Sequence, residues 1–169
     1  MSDFQGVWVI AEAASQHDEL ALVEATFKAE FEAIGGSALD LLPETKPTSG
    51  LSLTITSSNR FTQAVTAEPR VDWFDVQGVL AEQVVPFDGW CSHIEDRLYL
   101  IADGRPSWAT SKDEAKRSFF RYDDGDTVIC DFVELAGGKL LRTVNVLTDG
   151  QYISRTLISF ERSSAVQRT

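Results

Sequence analysis

Metal-binding and redox side chains are scarce in this chain: two cysteines, two histidines and one methionine in 169 residues. Cys91 and Cys130 fall in different segments, and His17 and His93 stand apart. No metal-ligand spacing results, so no metal and no other cofactor is expected. No stretch approaches the ~18 apolar residues of a membrane span. The opening Met1-Ser2-Asp3-Phe4-Gln5-Gly6 has neither the basic nor the apolar segment of a signal peptide. A cytoplasmic chain with reduced thiols is the expectation. Basic residues are few, 15 Lys and Arg against 26 Asp and Glu, for a net charge of −11. That balance argues against a nucleic-acid partner, which needs clustered cations, and against an anionic membrane surface. The excess acid serves solubility first; an acidic face that meets a basic partner is the sharper alternative. There is no Gly-rich phosphate loop, no Gly-x-Ser-x-Gly elbow and no His-Glu-x-x-His.

What is present is an ordinary globular balance, 43% hydrophobic and 24% charged, enough for one domain with a sizeable core. Gly6-Val7-Trp8-Val9-Ile10 is short and β-branched and reads as a strand. Ser15 with Asp18 three residues on resembles a helix cap, and Leu20, Val23, Phe27, Phe31 and Ile34 recur at helical spacing before Gly35-Gly36. A helical lid over about residues 15–42 is therefore predicted. From Leu51 onward the pattern is β. Leu51-Ser52-Leu53-Thr54-Ile55-Thr56 alternates, Ser57-Ser58-Asn59-Arg60 turns, and residues 61–65 return. Residues 70–76 and 78–85 predict a further strand pair. Pro86-Phe87-Asp88-Gly89-Trp90 reads as a turn, residues 94–102 as one strand closed by Asp103-Gly104, and residues 117–122 and 127–135 as a hairpin around Asp123-Asp124-Gly125-Asp126. Gly137-Gly138 and Asp149-Gly150 then separate strands 139–147 and 151–162, with a polar tail over 164–169.

One strand, a helical insertion, then roughly eight or nine strands on tight turns predict a mainly β domain over residues 1–163. The fold expected is a single antiparallel up-and-down β-barrel of about eight to ten strands, which closes to remove exposed edges and has room for one small ligand.

This order resembles the fatty-acid-binding proteins, and Phe4-Gln5-Gly6-Val7-Trp8 resembles the Gly-x-Trp first strand shared with the lipocalins. In that superfamily the Trp closes one end of the barrel and often packs on an Arg of the last strand, which implies Arg162 or Arg155 here. The Arg-x-Tyr carboxylate grip of the fatty-acid carriers is replaced by Ile158-Ser159-Phe160, so the resemblance does not imply an ordinary fatty-acid carrier. About a quarter of the chain, from Ser118 to Arg162, is also similar to the S-type phycobiliprotein chromophore lyases. The matching stretches are Arg121-Tyr122-Asp123-Asp124-Gly125, Lys139-Leu140-Leu141-Arg142-Thr143 and Ile158-Ser159-Phe160-Glu161-Arg162. Of that family's Arg-x-Arg-Thr only Arg142 is kept, its usual Trp on the preceding strand reads Phe132, and the first half does not match. This likeness implies a tetrapyrrole (bilin) as ligand and an acceptor protein as partner.

Among residues that can carry chemistry, Arg142 shares a strand face with Leu140 and Val144. Pointing inward it needs an anion, either an acidic group of a ligand or a structural carboxylate such as Asp131. Arg155 is a similar but more polar position. Asp131 and Glu134, three apart on a strand, face opposite sides and cannot act as a catalytic pair unless a bulge intervenes. Trp73-Phe74, Trp90 and Trp108 are flat surfaces for a conjugated ligand or plain core. Phe27 and Phe31 belong to a lid or to a core cap. His93 beside Cys91 has no third residue to orient it. The function expected is binding of a small hydrophobic or conjugated ligand at Arg142, Asp131, Arg155, Trp73, Trp90, Phe27 and Phe31. The alternatives are a small isomerase or cyclase on the same scaffold, which needs few reactive groups, and an acidic interaction module with a filled barrel.

Overall fold

Strict alternation in Leu51-Ser52-Leu53-Thr54-Ile55 sends every second side chain to one face. In the computed structural model those three apolar residues are buried against a common core. The structure describes residues 2–19, 46–65, 85–111, 118–125, 127–148 and 152–164. A 3-10 turn at Ser2–Phe4 precedes β1 (Gly6–Glu19), the two-residue β2 (Lys46–Pro47), β3 (Leu51–Ile55), β4 (Arg60–Val65), β5 (Phe87–Ile94) and β6 (Arg97–Ala102). Then come β7 (Ser107–Ser111), β8 (Ser118–Asp124), β9 (Thr127–Ala136), β10 (Lys139–Thr148) and β11 (Tyr152–Arg162).

The strands form a closed antiparallel eight-stranded barrel in the order β1-β3-β4-β5-β6-β9-β10-β11, with β11 returning to β1. The up-and-down order is interrupted once. The β7–β8 hairpin branches from the wall, because one edge of β9 is shared. Thr127, Val128 and Ile129 pair with β8, whereas Phe132 and Val133 pair with β6.

One end of the barrel is plugged. Trp8 is 1% exposed and donates its indole N–H to the Phe4 carbonyl at 2.8 Å. Arg162 lies over the Trp8 ring at 4.4 Å and donates to the carbonyls of Gln5 and Asp3, each at 2.7 Å. Of the two arginines expected beside Trp8, Arg162 is therefore the one that packs there. Gly6 has φ +135, and a Cβ on it would meet the Arg162 Nη1, so only glycine fits beneath this clasp. Below the plug the interior is packed solid by Leu53, Phe61, Leu98, Val133, Leu140 and Phe160. A bulge in β1 between Ile10 and Glu12 shifts the inward set from Trp8 and Ile10 to Ala13.

Several boundaries differ from expectation. β1 continues as strand to Glu19, with Ser15 to Glu19 opposite Thr156 to Tyr152 of β11, so Ser15 and Asp18 are not a helix cap. Pairing with a long partner strand overrides the local signal. The rest of the predicted lid, the strand pair over 70–84 and the tail beyond residue 164 lie outside the described residues. Gly89 is a strand residue, not a turn. A Cβ there would collide with the Phe61 ring and the Ile101 carbonyl, so this glycine makes room for an aromatic ring. Residues 94–102 are not one strand, because Glu95, at φ +55, and Asp96 form the β5–β6 turn. Trp108 lies on β7, a strand not anticipated. Among the described residues no helix is long and apolar enough to cross a membrane.

Candidate functional site

Alternation along β9 and β10 decides which groups meet inside. Asp131 and Val133 of β9 point inward, as do Leu140, Arg142, Val144 and Val146 of β10. In register Arg142 is opposite Val133 and Asp131 is opposite Val144, so the arginine and the aspartate are diagonal neighbours on one face. They form a two-pronged ion pair. Arg142 Nε donates to Asp131 Oδ1 at 2.9 Å and Nη2 to Oδ2 at 2.6 Å. Both side chains are buried, at 4% and 2% exposure. The structural carboxylate, one of the two partners open to Arg142 from sequence, thus occupies the guanidinium fork.

A third residue ties the pair across the lumen. Gln63 of β4 accepts from Arg142 Nη1 at 2.6 Å and donates through Nε2 to the Val85 carbonyl at 2.8 Å. These two partners fix which way its amide faces. The Phe87 ring lies 6.0 Å from the guanidinium carbon and stands edge-on to Phe61, with centroids 5.5 Å apart. Burial alone would lower the Arg142 pKa, but the charge and hydrogen bonds of Asp131 raise it overall, so the guanidinium stays charged. Burial, then the nearby Asp131 charge, pushes the Tyr122 hydroxyl above its ordinary range and the Cys91 thiol up to about 12.

The tie separates two regions. Toward Trp8 lies the packed core; on the other side a cavity of about 600 Å³ opens. Among the described residues its apolar walls are Leu51, Phe87, Ile129, Val144, Val146 and Ile158, with Arg142, Asp131 and Gln63 at its floor. Its charged lining is Asp88, Asp103 and Asp124 with Arg105. Arg105 pairs with Asp124 at 2.7 Å, Asp103 with Arg60, and Asp88 accepts from the Thr62 hydroxyl at 2.6 Å. Val85, 52% exposed, marks the rim.

Of the residues singled out from sequence, the structure brings Arg142 and Asp131 together in this cavity. Trp90 is not part of it; its ring packs edge-on against Phe120, 5.3 Å away, in the cluster that includes Tyr99, Tyr122 and Phe132. Arg155 is opposite Asn145 and Gln16 by backbone register. Trp73, Phe27 and Phe31 lie outside the described residues. Glu134 faces away from Asp131, as the spacing required, and pairs with buried Arg97 at 3.0 Å. His93 packs against Phe4. Gln63 and Phe87 were not foreseen. The signal for Gln63 was available, a polar residue on the apolar face of Phe61 and Val65. Phe87 was hidden inside the misread turn.

No group of three or more His, Cys, Asp or Glu among the described residues could hold a metal ion. Compared with the sequence models of known protein families and with curated proteins, the chain matches none.

Proposed function

We propose that this barrel is a container for one small, mostly apolar molecule, held in the cavity above the Arg142–Asp131–Gln63 tie. The observation that supports this reading is the cavity itself. Protein interiors are close-packed, with few voids larger than a water molecule. The barrel here leaves a space of about 600 Å³ that is open to solvent on one side, and it falls within the roughly 300–1,000 Å³ of small-molecule sites. Its walls supply affinity through Leu51, Ile129, Val144, Val146 and Ile158, while its floor supplies a fixed polar patch. Because Arg142 is clamped from two sides, that patch is set before any ligand arrives, so little ordering cost falls on binding.

The cavity weighs against the acidic interaction module, which called for a filled barrel. A linear tetrapyrrole, with its conjugated body and neutral lactam ends, belongs to the proposed ligand class if a lactam and not a propionate meets the floor, and handing it to an acceptor protein would be the lyase version of the same container. The test is a native mass spectrum and an absorbance spectrum of the protein purified from its own source. Extra mass over the 18.7 kDa chain is expected, with a visible band if the occupant is a pigment. Val144→Trp, which fills the cavity from its wall, should return the bare mass. A bare mass for the native protein, together with no uptake of the hydrocarbon dye diphenylhexatriene, would overturn the proposal.

A further inference from the structure

The identity of the occupant's end group follows from a count of hydrogens at the cavity floor, given the container reading on which this inference rests. A guanidinium carries five N–H bonds and accepts none. At Arg142, Nε and one N–H of Nη2 go to Asp131, and one N–H of Nη1 goes to Gln63. Among the described residues that leaves two N–H bonds without an acceptor, one on each terminal nitrogen, on a side chain that lines the cavity and is 4% exposed. Buried donors need acceptors, and a bound molecule that displaces water from the floor has to supply one.

The charge of that acceptor is constrained as well. Asp131 already neutralises Arg142 through both carboxylate oxygens, so the floor as a unit has no net charge to offer. A ligand carboxylate would place a second anion beside Asp131, and two carboxylates sharing one site resist joint ionisation. The way in is no more favourable to an anion. Among the described residues Asp88, Asp103 and Asp124 line the cavity above; Arg60 pairs with Asp103 and Arg105 with Asp124, so no cation is left over for an anion and Asp88 adds a negative charge. A ligand ammonium fares no better at the floor, where it would point its own donors at the donors of Arg142. We infer that the cavity takes an apolar molecule ending in a neutral hydrogen-bond acceptor, a ketone, aldehyde, ester or amide carbonyl, and discriminates against the matching carboxylate and amine. Asp131 is the residue that sets this preference. It converts a cation that would otherwise capture acids into a neutral donor pair.

The test uses the full-length protein and displacement of diphenylhexatriene, a pure hydrocarbon whose own binding depends on the apolar walls alone. Methyl decyl ketone, lauramide, laurate and laurylamine are compared at neutral pH. The ketone and the amide should displace the dye at concentrations about tenfold or more below those of laurate and laurylamine, a difference of ~1.4 kcal/mol or more. Asp131→Asn should then strengthen laurate binding by about tenfold while the ketone changes little. The double variant Arg142→Leu/Asp131→Leu, which removes both charges together and keeps the floor apolar, should weaken the ketone by about tenfold and leave dye binding intact. Laurate equal to or tighter than the ketone on the wild-type protein overturns the inference and leaves the container standing. Failure of the dye itself to bind counts against the container and takes the inference with it. If Asp131→Asn does not fold, the wild-type series and the double variant still decide.

Discussion

Removing one partner of the Arg142–Asp131 pair should cost far more than removing both. In Arg142→Leu, Asp131 is left at 2% exposure with its cation gone, and Gln63 loses the donor that holds its oxygen. An uncompensated buried charge of this kind costs ~3–5 kcal/mol. A domain has only about 5–15 kcal/mol in total, so the single variant sits near the edge of folding. Asp131→Leu should cost a similar amount, since it strands the guanidinium. In the double variant both desolvation penalties vanish, and two leucines join the neighbouring Leu140, Val144 and Ile158. Replacement of a buried pair by apolar residues is often neutral or stabilising, so the double variant should lie within ~1–2 kcal/mol of wild type. The assay is urea unfolding of the four proteins, followed by tryptophan fluorescence. At a slope of roughly 2 kcal/mol per molar urea, each single change should lower the midpoint by about 2 M and the double should restore most of it. The coupling should exceed ~3 kcal/mol. A double variant that costs the sum of the singles would refute the reasoning, as would singles that cost under ~1 kcal/mol. Either result would mean that the pair is solvated and not buried beneath the cavity.

Cys91 predicts an alkaline limit. Its thiol ionises near 9.0 when exposed but only near about 12 in the fold, because of burial first and the Asp131 charge second. The raised folded value contributes stability that is fully present below about pH 9 and is lost as pH rises toward 12. Buried Tyr122, whose hydroxyl is raised in the same direction, adds to the loss. Urea midpoints should therefore fall steadily above about pH 9, less steeply in Cys91→Ala, and a flat profile would contradict the burial of both groups. Gly89→Ala should cost ~1–3 kcal/mol through overpacking. Adding Phe61→Leu should recover only part of this, because the Ile101 carbonyl still blocks the new methyl; full recovery by thermal unfolding would locate the clash in the ring alone. Arg162→Ala should cost ~1–3 kcal/mol and Arg162→Lys should not rescue it, since an ammonium cannot lie flat on Trp8 and also fork between two carbonyls. Melting temperature and the near-ultraviolet circular dichroism of the aromatic residues report both.

Much of the barrel was readable residue by residue, because half-buried strands announce themselves by alternation. Leu51 to Ile55, Phe61 to Val65 and the β9–β10–β11 meander lie close to where the pattern put them. The failures share a cause. Asp88-Gly89 has the chemistry of a turn, yet the same absence of a side chain serves a close approach to Phe61, and only the packing distinguishes them. Glu95-Asp96 turns without glycine or proline, so nothing marked it. Ser15 and Asp18 carry a capping signal that a partner strand overrules. At the site, spacing showed that Arg142 and Asp131 sit on defined strand faces, but not which face is the inside. Register supplied that, and it is a property of the whole ring. Gln63 could be reached only by asking why a polar side chain interrupts an apolar face.

The shared edge of β9 has a consequence for how this protein breathes. Neighbouring strands are held by very different numbers of rungs: ten registered pairs join β9 to β10, but only Leu98–Val133 and Tyr99–Phe132 join β6 to β9. Opening is cheapest where the fewest hydrogen bonds and contacts are lost. Judged by backbone rungs, the cylinder should part along this seam first, once the Arg97–Glu134 pair that bridges it is broken. Amide protons there should exchange with solvent sooner than those of the β9–β10 ladder. Ring closure should also be a late event in folding, after the local hairpins are made.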